Sequence, residues 1–271
     1  MIRCLANMRC MMRALLGFAL VGCLFAVSAA RAEDPEIAKR RLAERKSFSD
    51  AEIANGFFRT VFGAELGLDG RTNRVRKFEK PVRVFIERSS TKPDRRKQVA
   101  AVLADIGAHI PNIDIAVVNR RDKANYVVHL VRDRDLNRTI SKMFGSNGRR
   151  IVKSLEPQCL SGFSKDERYR IIKSDVILVV DAGDFIFYDC AYEEMLQALG
   201  PVRDDDGVPW TMFNDDVQMG FFDIYDQFIL NILYDKRVRA GMSTKDMLGL
   251  LPEILPDVRA QIARKNGLPL P

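Results

Sequence analysis

Ile53, Phe57 and Val61 stand four residues apart within SDAEIANGFFRTVFGAE, a spacing that stacks apolar side chains on one face of a helix. Ser49 can cap that helix, and Glu52 three positions on completes a capping-box pattern. The period then changes. Val82-Arg83-Val84-Phe85-Ile86 alternates apolar and polar and predicts a strand, broken at Ser89-Ser90. Residues 93–109 return to helical spacing, with Val99, Val102, Leu103 and Ile106 on one face. Runs at 113–118 and 126–131 predict two further strands. After a long excursion bearing glycine and arginine, residues 175–181 are almost continuously apolar, as in a strand covered on both faces. The series is strand, helix, strand, strand, strand, and then a helix at 192–200.

Beyond that helix, 217–234 carries Phe221, Phe222, Ile224, Phe228, Ile229, Ile232 and Leu233, the density of a core helix, with Asn214-Asp215-Asp216 resembling its cap. Tyr225 and Tyr234 are assigned to packing. Ser243 with Asp246 caps a further helix, and Pro256 opens a last one ending near Gly267. Asp204-Asp205-Asp206-Gly207 hints at a calcium loop, but the glutamate such a loop needs falls on Phe213, so a polar turn before Pro209 is expected. No repeat or low-complexity linker divides the chain. The resulting organisation is a polar, charged lead-in at 33–47 and one domain at 48–271. That domain divides into an α/β lobe with the motif helix (48–200) and a helical C-terminal lobe (201–271).

Residues 1–32 hold Arg3, Arg9, Arg13 and Arg31 and no acid, and 14–30 is uncharged, which predicts a secretory signal peptide. Ala30-Arg31-Ala32 is its cleavage site, so the mature chain begins at Glu33 and is exported, periplasmic or secreted, with no transmembrane helix left. Two alternatives stand beside this. The uncharged run is 17 residues long, against the roughly 20 of a membrane anchor. Leu20-Val21-Gly22-Cys23 also has the form of a lipoprotein box that would leave Cys23 acylated, although the apolar run continues past it.

Export changes the meaning of charge and cysteine. The formal charge of +7 comes from 43 basic and 36 acidic residues, and losing the four leader arginines leaves 39 against 36. So balanced a surface argues against a nucleic-acid partner. Arg71-Thr72-Asn73-Arg74-Val75-Arg76-Lys77 and Arg149-Arg150-Ile151-Val152-Lys153 read as solvated loop charge, with an anionic envelope lipid or polymer as the other reading. Cys4, Cys10 and Cys23 leave with the leader. Cys159 and Cys190 remain, and in an oxidising compartment they predict one disulfide; two separate buried thiols are the alternative. No C-x-x-C or Cys/His pairing assigns them to a metal.

The chemistry concentrates in Tyr192-Glu193-Glu194-Met195-Leu196-Gln197-Ala198-Leu199-Gly200. In an H-E-x-x-H helix two histidines at i and i+4 hold zinc, and the glutamate after the first polarises water. Here Glu193 and Gln197 occupy the histidine slots while Glu194 keeps the position of the base. Tyr192, Met195, Leu196 and Leu199 form an apolar stripe, so an ordinary amphipathic helix also accounts for the pattern. Only His109 and His129 occur in the chain, both away from this helix and assigned structural roles, so zinc is disfavoured. An all-oxygen set of Glu193, Gln197 and Asp204 suits a hard divalent cation such as calcium, magnesium or manganese. Glu193 and Glu194 sharing a proton is a further reading.

The longer frame H-E-x-x-H-x-x-G-x-x-H is that of metzincin peptidases. Gly200 matches its glycine, the third ligand slot falls on Arg203 with Asp204 beside it, and Ala240-Gly241-Met242-Ser243 matches the methionine turn. Residues 57–65, 81–84, 189–200, 213–216 and 233–242 resemble an exported bacterial domain-of-unknown-function family of zincin-like architecture. The resemblance implies an α+β zincin-like fold: a mixed sheet with a backing helix and the motif helix, then the helical lobe. It places a cleft between the lobes beside Tyr192, Glu193, Glu194, Gln197 and Asp204. It implies a catalytically degenerate metallopeptidase-like protein binding a peptide or cell-envelope component there. The alternatives are an active metal-dependent hydrolase with Glu194 as base and Glu193, Gln197 and Asp204 as ligands, and a structural envelope protein tethered through Cys23.

Overall fold

Five strands form one mixed sheet in the computed structural model, which describes residues 33–62, 73–87, 92–155, 157–201 and 203–270. The leader at 1–32 with Cys23, residues 63–65 and 71–72, and the break at Ser89-Ser90 lie outside the described residues. The strands are β1 (Val82–Ile86), β2 (Ile115–Val117), β3 (Tyr126–Val131), β4 (Leu160–Lys165) and β5 (Ile171–Val179), in the order β2-β1-β3-β5-β4. Only β4 runs antiparallel, paired to β5, and it forms one edge. The helices are α1 (Pro35–Ala43), α2 (Asp50–Val61), α3 (Arg96–His109), α4 (Asp133–Leu155), α5 (Asp184–Gln197), α6 (Ile224–Leu233) and α7 (Thr244–Asn266). Among the described residues no helix is long and apolar enough to cross a membrane.

Alternation along β3 sends Tyr126, Val128 and Leu130 into the main core, where Val102, Ile106, Phe187 and Met195 of α3 and α5 meet them. The opposite face of β5 gives Ile177 and Val179 to a smaller core with Leu136, Ile140 and Ile151 of α4. The apolar run of β5 is thus explained by burial on both faces. Ser49 with Glu52 on α2, and Ser243 with Asp246 on α7, form the capping boxes that their spacing predicts.

The structure departs from the sequence expectations at several places. The excursion before β5 contains α4 and β4. Its helix is hidden because Gly145, at φ 58°, interrupts the apolar spacing between Ile140 and Ile151. The cluster at 149–153 is therefore helical and not a loop. In the other basic cluster Arg76 and Lys77 are not solvated but buried: Arg76 donates to Val61 O at 2.9 Å, and Lys77 Nζ donates to Leu233 O at 2.6 Å. Cys190 stands in the middle of α5, since the helix begins at Asp184. The helix expected at 217–234 is only α6. Gly220 adopts φ 76° and Asp223 is the N-cap, so Asn214 serves its own turn, accepting from Asp216 N. Pro256 does not open a helix, because α7 runs through both Pro252 and Pro256. Burial of Leu251, Ile254, Leu255 and Val258 on one stripe outweighs the roughly 3 kcal/mol that an interior proline costs. Finally, the helical layer recruits α2 from the N-terminal side, which packs on α6 and α7.

Candidate functional site

One face of α5 carries Asp189, Cys190, Glu193, Glu194 and Gln197, positions that fall together because about 3.6 residues make a turn. They line a cavity of about 250 Å³, closed by Gln158, Cys159 and Leu160 at the start of β4 and by Asp204, Asn214, Asp215, Val217 and Gln218. The opposite face of α5 (Phe187, Ala191 and Met195) is buried in the main core and fixes the rotation of the helix. The Cys159–Cys190 disulfide, with its Cα atoms 6.0 Å apart, ties the edge strand to the helix at the cavity wall. Gly200 turns the chain away below. At φ 147°, a Cβ there would lie 2.5 Å from Arg76 O, so the close approach requires glycine.

Glu193, Asp204 and Asp215 each offer an oxygen within 4.8 Å of the other two. The sequence predicts Glu193, Gln197 and Asp204 as a set; Asp215, whose position reads as a helix cap, takes the place of Gln197 beside the two carboxylates only in the fold. Gln197 is buried and donates its amide N–H to Asp204 Oδ1, while its own oxygen lies 3.5 Å from Ser161 Oγ. It therefore orients Asp204. Glu194 lies deeper, 6% exposed. Burial, with the charge of Glu194 added to it, raises the pKa of Tyr126, whose hydroxyl donates to Met195 O at 2.9 Å. Tyr192 is directed elsewhere: its hydroxyl donates to Asp105 Oδ2 on α3 at 2.9 Å.

Asp189 is a second lining residue outside the predicted set, although its position four before Glu193 puts it on the same face. Its carboxylate accepts from Met219 N at 2.7 Å, and burial pushes its pKa up to about 6. Arg203 pairs with Asp205 and does not line the cavity. Nor does Met242, which instead meets Val75 through a backbone hydrogen bond.

Among the described residues the cavity wall offers neither an imidazole nor a free thiolate. Both described cysteines are in the disulfide, and neither histidine reaches the cavity. His129 lies between Glu87 Oε2 at 2.6 Å and Asp175 Oδ1 at 3.0 Å, and His109 contacts Asp105. Carboxylate oxygens do fit a hard cation.

Residues 50–253 match the model of a family described as protein of unknown function (DUF2927). The chain belongs to the DUF2927 family. No curated protein and no solved structure matches it. For this DUF2927 member the α+β fold with a mixed five-stranded sheet therefore comes from its own geometry.

Proposed function

We propose that this DUF2927 chain is an exported, zincin-like domain that keeps the frame of a peptidase without its zinc ligands and binds an extended peptide or envelope component at the α5 cavity. One observation carries the reading: five carboxylates, Asp189, Glu193, Glu194, Asp204 and Asp215, line a cavity beneath the start of an edge strand. An edge strand offers unpaired backbone groups to an extended peptide. No Lys, Arg or His stands among the described lining residues, so a cationic side chain or an amino terminus complements the wall. The signal peptide at 1–32, the lead-in at 33–47 and the domain at 48–271 belong to the same reading. Mass spectrometry of the mature N-terminus separates Glu33 from an acylated Cys23.

The binding test is fluorescence anisotropy with extended peptides of equal length, bearing lysine or glutamate, together with soluble peptidoglycan fragments as the envelope probe. Lysine peptides are expected to bind, and Asp204→Asn with Asp215→Asn to weaken them by about tenfold. Binding by no member of the panel overturns the proposal.

A second reading rests on the convergence of Glu193, Asp204 and Asp215. These three would hold a hard divalent cation, which supplies Lewis acidity, and Glu194 would accept a proton as base in a hydrolase. Calcium, magnesium and manganese are tested singly by thermal shift, and Glu194→Gln is compared with wild type on peptide substrates. Absence of any metal-dependent shift removes this reading and leaves the first intact.

A further inference from the structure

Between Leu136 and Leu155 the chain carries five cations, Arg138, Lys142, Arg149, Arg150 and Lys153, and no acid. Since residues 33–271 hold 39 basic against 36 acidic residues, this stretch outweighs their whole excess of three, and the remainder is net negative. The structure converts that composition into a surface. Leu136, Ile140 and Ile151 turn α4 onto the sheet, and the five cations are all exposed. Arg138 and Lys142 each follow a buried residue by two positions, about 200° around the helix, as Lys153 follows Ile151. The buried residues on both sides of Gly145 belong to one small core, so both helical segments direct their charge away from the same face of the sheet.

Among the described residues Lys142, Arg149 and Lys153 have no acidic partner, whereas Arg138 pairs with Asp135 at 2.7 Å. The cations are distributed over two helical segments of several turns instead of converging on one point, as a single phosphate would require. Phe144 packs against the small core and Gly162 and is not displayed for stacking on a nucleic-acid base. A row of cations along an exposed helix fits a plane of anionic headgroups.

We infer that the cationic side of α4 docks this protein on anionic phospholipid bilayers. No residue of α4 lines the acidic cavity, so the surface is independent of what the cavity binds.

The test is vesicle co-sedimentation of the protein expressed from the full sequence and purified as the cell processes it. Vesicles of phosphatidylcholine mixed with equal phosphatidylglycerol are compared with phosphatidylcholine alone. Binding to the anionic vesicles only is expected, weakening as salt rises past roughly 0.15 M. The variant Lys142→Glu, Arg149→Glu, Lys153→Glu is expected to bind about 100-fold less. A control with the same change of net charge, Lys97→Glu, Lys236→Glu, Lys265→Glu, is expected to keep most of the binding; circular dichroism checks that both fold. Equal binding to both vesicle types, an equal loss in the control, or binding to polyphosphate without binding to vesicles would each overturn the assignment.

Discussion

Two groups of carboxylates in this molecule differ in what surrounds them. Along α5, Asp189, Glu193, Glu194, Asp204 and Asp215 face a cavity. At the start of α6, Asp223 and Asp226 are buried at 1% and 0% exposure and line none of the described cavities. Asp226 accepts from Thr211 Oγ1 at 2.5 Å and from Met212 N at 2.7 Å, and Asp223 caps α6 through Tyr225 N and Asp226 N. Burial raises the pKa of both, and the neighbouring charge of Asp226 raises that of Asp223 further. Buried acids alone therefore do not mark a functional site. Open space in front of them distinguishes the α5 group, while backbone donors absorb the α6 group into the fold.

The comparison breaks most sharply at Asp226. Asp226→Ala leaves buried donors at Thr211 and Met212 without an acceptor, and is expected to destabilise by about 3–4 kcal/mol in urea unfolding. A loss below about 1 kcal/mol would show that the pair is not structural. Reduction of Cys159–Cys190, which closes a loop with sequence separation 31, is expected to cost about 3 kcal/mol in the same measurement.

Acid titration cuts across the two groups, because Asp189 of the α5 group shares the raised pKa of the α6 pair. Asp189, Asp223 and Asp226 have folded pKa values raised above the ordinary 3.8. Their contribution to stability is complete below 3.8 and is lost as pH rises through their folded values, about 6 for Asp189. Thermal unfolding should therefore show Tm falling from about pH 5 to about 7, with a shallower slope in Asp226→Asn. A Tm that rises over this range would contradict the assignment. The smallest effect is expected at the cavity: Glu193→Gln should change stability by less than about 0.5 kcal/mol, because the side chain is only partly buried and stands among like charges.

Much of the fold is legible where apolar spacing is regular. The strands β1 and β3 and the helices α2 and α3 lie where their apolar spacing predicts them, while β5, legible from its nearly continuous apolar run, begins at Ile171, four residues before the expected start. Legibility fails where local and tertiary preferences conflict. Gly145 masks α4, Gly220 cuts short the apolar run before α6, and two prolines sit inside α7 because its buried stripe carries the helix through them. The burial of Lys77 is likewise invisible to spacing, since its partners are backbone carbonyls more than 150 positions away. The disulfide is one of two readings of the cysteine count, and the fold places its partners side by side.

The sequence by itself determined the helix that carries Glu193, Glu194 and Gln197, the absence of histidine from that frame, and the basic character of 136–155. These are local properties, fixed by residue identity and by the turn of about 3.6 residues. Only the tertiary structure decided that Asp215 joins Glu193 and Asp204, that Tyr192 faces α3, and that the cations of α4 lie exposed on the side away from the sheet. Those facts depend on how distant segments meet when the sheet buries both its faces, and no spacing along the chain encodes that.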